Sequence, residues 1–117
     1  MAWRVSKLTD ANKGKPISDE FLDKCKSITN NYERLKGRWS SEAQLLHIHS
    51  EVQEFNEALR KKTKDEALEE YADILLCTIA CGNYFGFTNE MINNALIAKL
   101  SIVESRVKEL KMELHGE

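Results

Sequence analysis

Apolar residues recur at steps of three and four along most of the chain, and this period divides it into four helical segments. From Ser18, the positions Phe21, Leu22, Cys25, Ile28, Tyr32 and Leu35 form one stripe of an amphipathic helix, and Gly37 supplies its stop. A second stripe runs through Leu45, Ile48, Val52, Phe55 and Leu59. Ser41, with Gln44 three residues on, fits a capping box for its start, and it runs to about Lys62. Thr63 with Glu66 repeats the capping pattern. The stretch from Leu68 to Phe85 is then apolar on nearly every face, as expected of a helix buried on most sides, and Gly86 ends it. Thr88 or Asn89 caps a last helix whose Ile92, Leu96, Val103, Val107, Leu110 and Leu114 approximate a heptad seam extending nearly to Gly116. The pattern predicts an all-α fold, a four-helix, bundle-like unit over residues 18–117 with short connections and antiparallel neighbours. A dimer would bury the projecting seam. Residues 1–17 hold no sustained period and read as an N-terminal arm.

Composition narrows the classes of function. A length of 117 residues is one domain's worth, and five glycines with a single proline, Pro16, leave long helices unobstructed. A formal net charge of −2 provides no positive field for a nucleic-acid polymer. The longest nonpolar stretch, Ile74 to Gly82, is far short of the ~18 residues a membrane helix needs, so no membrane partner is expected and the chain reads as cytoplasmic. Three cysteines, an odd number, argue against a disulfide framework.

The acidic residues carry the chemistry. Asp73 sits inside Tyr-Ala-Asp-Ile-Leu-Leu-Cys, where burying a carboxylate costs several kcal/mol unless it is paired, hydrogen-bonded or bound to a metal. Glu70 lies three residues earlier, about 60° away on the helical wheel, so the two acids share a face and repel unless a cation lies between them. On the preceding helix, Glu51 falls on the flank of the apolar stripe with Glu54 beside it, whereas Glu57 turns away from the core. The turn between these helices centres near residue 62, so in an antiparallel hairpin residues whose numbers sum to about 124 stand opposite one another. Glu54 is then expected to face Glu70, and Glu51 to face Asp73. Four acids at one level imply at least one divalent ion, Mg²⁺ in the first instance with Mn²⁺ as a substitute. A ferritin-like di-iron centre requires Glu-x-x-His elements, and the sequence contains none.

Glu51-Val-Gln-Glu54, fifteen intervening residues and Glu70-Tyr-Ala-Asp73 resemble the E-x-x-E and E-x-x-D pairs of the MazG-like nucleotide pyrophosphohydrolases, over roughly Trp39 to Arg106. That resemblance implies an all-α enzyme that hydrolyses a nucleoside triphosphate to the monophosphate and pyrophosphate using Mg²⁺, with Glu51, Glu54, Glu70 and Asp73 as metal ligands. It also implies assembly as a homodimer or a dimer of dimers (homotetramer). Either Glu51 or Glu54 would orient the attacking water. Basic residues of the last helix would contact the triphosphate. Lys99 and Arg106 fall within its apolar stripe, although Glu104 lies between them where relatives often carry an Asn.

Four further features have weaker signals. His47, four residues before Glu51 on the same flank, is a candidate to touch the nucleotide, against the plainer reading of a solvated or structural histidine. Trp39 could stack on a base or pack as a staple, and Asn94 could read a sugar or base or serve the turn into the last helix. Cys77 and Cys81, with His47 and His49, contain zinc-ligand types, but nothing in their spacing brings them to a tetrahedron, and two buried core thiols are the plainer reading. The competing function is a non-catalytic helical adaptor, with the last helix as its working surface and the acids as a structural metal staple.

Overall fold

The computed structural model describes residues 18–61 and 63–116, so the N-terminal arm lies outside the described residues. It is all-α, as the pattern predicts: α1 (Asp19–Leu35), α2 (Ser41–Lys61), α3 (Lys64–Tyr84) and α4 (Asn89–His115), with no strand among the described residues. No helix there is long and apolar enough to cross a membrane.

Local chemistry explains most of the boundaries. The Ser18 hydroxyl accepts from the Phe21 N–H to open α1, Thr63 accepts from Glu66 to open α3, and Thr88 accepts from Met91 to open α4. Thr63 also donates its hydroxyl to Glu66 Oε1 at 3.1 Å, tying the side chains of that box together. The expected box at Ser41 is displaced by one residue. Ser40 Oγ accepts from the Ala43 N–H at 3.2 Å, while Gln44 turns its amide inward, to the Arg38 carbonyl at 2.8 Å. Gly37 and Gly86 take positive φ, 73° and 81°, the left-handed conformation that closes α1 and α3.

The chain divides into two units, one ending at Gly86 and one beginning at Phe87, so α4 is described by itself. In the first unit, α2 and α3 form an antiparallel hairpin through a short turn, and α1 packs on α3. Phe55 on α2 meets Tyr71 on α3 with ring centroids 5.9 Å apart, close to the expected register. Trp39 packs edge-on against Tyr84 at 5.2 Å and carries the Arg34 guanidinium 4.4 Å from its centroid, which is the packing role weighed for it.

The core differs from the sequence reading in one respect. The expectation that α3 is buried on most sides fails for this chain alone: only Ala67, Cys77, Ala80 and Gly82 are buried, while Leu68, Tyr71, Leu75 and Leu76 are exposed. Small residues mark where neighbouring helices approach closely, and the large ones stand around that line. No residue of α4 is buried.

Candidate metal centre

A buried acid that the sequence reading overlooked anchors the site. Glu33 on α1 is only 2% exposed. It accepts from Arg38 Nη2 at 2.6 Å and Nε at 3.0 Å, meets His47 Nδ1 at 2.8 Å, and accepts from Gln44 Nε2 at 3.4 Å. Burial alone would raise its pKa, but the hydrogen bonds and positive charges of Arg38 and His47 outweigh it and hold the carboxyl below its ordinary value. One signal could have revealed it. Glu33 lies about 20° from Leu22 on the helical wheel, inside the arc of the α1 stripe.

His47 passes this anchor to the acidic hairpin. Its Nε2 is 3.2 Å from Glu51 Oε1, so one imidazole bridges a carboxylate of α1 and one of α2. Glu51, Glu70 and Asp73 each bring a carboxylate oxygen within 4.8 Å of the other two. Glu51 is largely buried, with a side chain 14% exposed, and its Oε2 is buried with no hydrogen-bond partner. Burial, then the hydrogen bond and charge of Glu54, then the charge of Asp73 push the Glu51 carboxyl up to about 7, against the opposing pull of His47. Asp73 is raised as well, by partial loss of water and by the charges of Glu54 and Glu69, with His47 again opposing.

The geometry departs from the expected burial of Asp73 and leaves Glu54 outside the converging group. Asp73 is exposed rather than buried within an apolar helix, because it stands at the rim of a cleft of about 350 Å³ that Glu33, His47, Glu51 and Cys77 also line. Glu54 is exposed beside Glu51 and is not one of the three acids whose oxygens converge. It acts on the cluster by hydrogen bonding and charge.

The donor set fits a hard divalent cation. Ligand oxygens at ~2.0–2.1 Å place trans partners ~4.1 Å apart, so separations of up to 4.8 Å close by small side-chain rotations. The unpartnered Glu51 oxygen and the raised carboxyls describe negative charge that lacks compensation, which a cation supplies.

Lys99, Arg106 and Asn94 are exposed residues of α4, the separately described unit. His49 is exposed and outside the cluster, whereas Cys77, the residue paired with His47 by the expected hairpin register, lies against the imidazole with Sγ 3.6 Å from each ring nitrogen. Cys25 and Cys77 are buried and Cys81 is partly buried, and all three are free thiols. No protein-family model, curated protein or solved structure matches this chain.

Proposed function

We propose that this chain is a Mg²⁺-dependent nucleoside triphosphate pyrophosphohydrolase, converting an NTP or dNTP and water into the monophosphate and pyrophosphate in the upkeep of the cytoplasmic nucleotide pool. The observation that carries this reading is the convergence of Glu51, Glu70 and Asp73 oxygens at the rim of a cleft, beside a buried Glu51 oxygen with no partner. Bound Mg²⁺, or Mn²⁺ in its place, neutralises triphosphate charge and polarises the α-phosphorus.

The residues divide the remaining tasks. Glu51, Glu70 and Asp73 hold the cation. Glu54, exposed next to Glu51, orients the attacking water and takes its proton. His47, clamped by Glu33, keeps the Glu51 carboxylate aimed into the cleft. The resemblance of the motif assigns Lys99 and Arg106 to the triphosphate, and the amide of Asn94 is a candidate to hydrogen-bond a sugar or base. The exposed apolar residues of α4, among them Val103, Val107 and Leu110, support assembly as a homodimer or dimer of dimers.

Assaying pyrophosphate separately from orthophosphate, with each NTP and dNTP plus Mg²⁺, tests the proposal. Glu54→Gln, Glu70→Gln and Asp73→Asn should each lower turnover at least a hundredfold while leaving helical circular dichroism unchanged. Retained turnover in all three variants refutes the site. The unburied α4 supports a second reading, a helical adaptor with a structural metal staple, and absence of either phosphate product with every nucleotide favours it.

A further inference from the structure

His47 is held at one ring nitrogen by Glu33 and turns the other to Glu51. Glu33 Oε1 lies 2.8 Å from Nδ1, and Glu33 is itself fixed by two N–H groups of Arg38. With the proton on Nδ1, beside that carboxylate, the Nε2 lone pair is the one that coordinates, the arrangement that metal-binding histidines adopt. Glu51 Oε1 stands 3.2 Å from Nε2, and Cys77 Sγ lies 3.6 Å from each ring nitrogen. A histidine nitrogen without a proton cannot rest that close to an ionised carboxylate unless a positive charge joins them, either a proton or a metal ion.

The distances favour a particular class of ion. With zinc bonds of ~2.0–2.1 Å to nitrogen, ~2.3 Å to sulfur and ~2.0–2.2 Å to oxygen, the edges of a tetrahedron measure roughly 3.6 Å from N to S and roughly 3.3–3.4 Å from N to O. The observed N-to-S and N-to-O separations are 3.6 and 3.2 Å, and one donor atom from each of the three residues lies within 4.8 Å of the others. Sγ is equally far from both ring nitrogens, so it sits beside the ring, and a shift of the side chain toward the Nε2 axis is what a shared ion requires.

We propose that His47 Nε2, the Glu51 carboxylate and the Cys77 sulfur form a binding site for a borderline-soft divalent transition ion, Zn²⁺ first, with Glu33 as the residue that orients His47. Nitrogen, oxygen and sulfur donors select such an ion over Mg²⁺, which takes oxygen. Binding releases the Cys77 thiol proton as the S–H bond is replaced by a metal–sulfur bond, with no change of oxidation state. The fourth position opens on the cleft that these residues line. Glu51 belongs to both donor sets, so an ion here withdraws a carboxylate oxygen from the Glu51, Glu70 and Asp73 group. The site stands on its three side chains and does not rest on the pyrophosphohydrolase reading.

Co²⁺ titrated into the metal-free full-length chain, under reduction with a non-thiol reductant, provides the test. One equivalent should produce a near-ultraviolet thiolate-to-cobalt band with the intense visible bands of a tetrahedral ion, and Zn²⁺ should abolish both by displacement while excess Mg²⁺ should not. Cys77→Ser should lose the thiolate band and Cys81→Ser should keep it. Glu33→Gln should weaken binding tenfold to a hundredfold. A wild-type chain that shows no thiolate band at saturating Co²⁺ overturns the proposal whether or not the variants fold, as does a band that survives in Cys77→Ser. The readout is a spectrum rather than turnover, so its failure leaves the Mg²⁺-dependent activity to be judged separately.

Discussion

Replacing Glu51 with glutamine keeps the shape of the side chain and removes one negative charge from the crowded end of the α2–α3 hairpin. In the metal-free chain that charge is disfavoured, because burial, Glu54 and Asp73 raise the Glu51 carboxyl from 4.5 to about 7. The folded state therefore holds this proton more tightly than the unfolded state does. The group's contribution to stability is fully present below about pH 4.5, declines as pH rises, and has become a full penalty above about pH 7. At 1.36 kcal/mol per pH unit the interval corresponds to about 3 kcal/mol, and the water that still reaches this partly buried carboxylate screens away about 1 kcal/mol of it. Glu51→Gln should then be about 2 kcal/mol more stable than wild type at pH 8 with a chelator present, about 8 °C in Tm for a domain of this size, and close to wild type at pH 5. Differential scanning calorimetry of both proteins across that range measures it, since titrations common to the two cancel in the difference. Adding Mg²⁺ should reverse the order at pH 8 by stabilising only the wild type. A Tm difference that does not vary with pH, or a variant that is the less stable protein at pH 8 without metal, refutes the account of the acidic cluster.

Glu33→Ala should cost about 3 kcal/mol in urea unfolding at pH 7, because it strands Arg38 and His47 beside a buried cavity. The deficit should shrink as pH falls below about 4.5: Glu33 titrates below its ordinary value, so its stabilisation is present above the unfolded pKa and is lost as the folded carboxyl protonates. A deficit that does not change between pH 7 and pH 3 counts against the ion-paired cage. Sedimentation should find a dimer or tetramer, and the double substitution Val107→Glu with Leu110→Glu on α4 should lower the mass, whereas an unchanged mass places the interface elsewhere.

Local patterns made the helices legible. Ser18, Thr63, Thr88, Gly37 and Gly86 act on backbone groups within a few residues of themselves, so their effects can be read without knowing the fold. Spacing also placed Glu51 with Asp73, because a short turn leaves an antiparallel hairpin little freedom of register. The same register sets His47 opposite Cys77, a consequence hidden by the tendency to read apolar-flanked cysteines as packing.

Beyond that hairpin register, the sequence was silent about which side chain finds its partner on another helix. Gln44 abandoned its capping position for the Arg38 carbonyl and Glu33, Asp73 reached a rim instead of a core, and Glu33 on α1 met His47 on α2. The one-dimensional order determined which residues share a helical face, since that depends on a fixed 100° per residue. Which faces meet depends on how whole helices fit together, and that packing decided which charges lost water and which found a counter-charge.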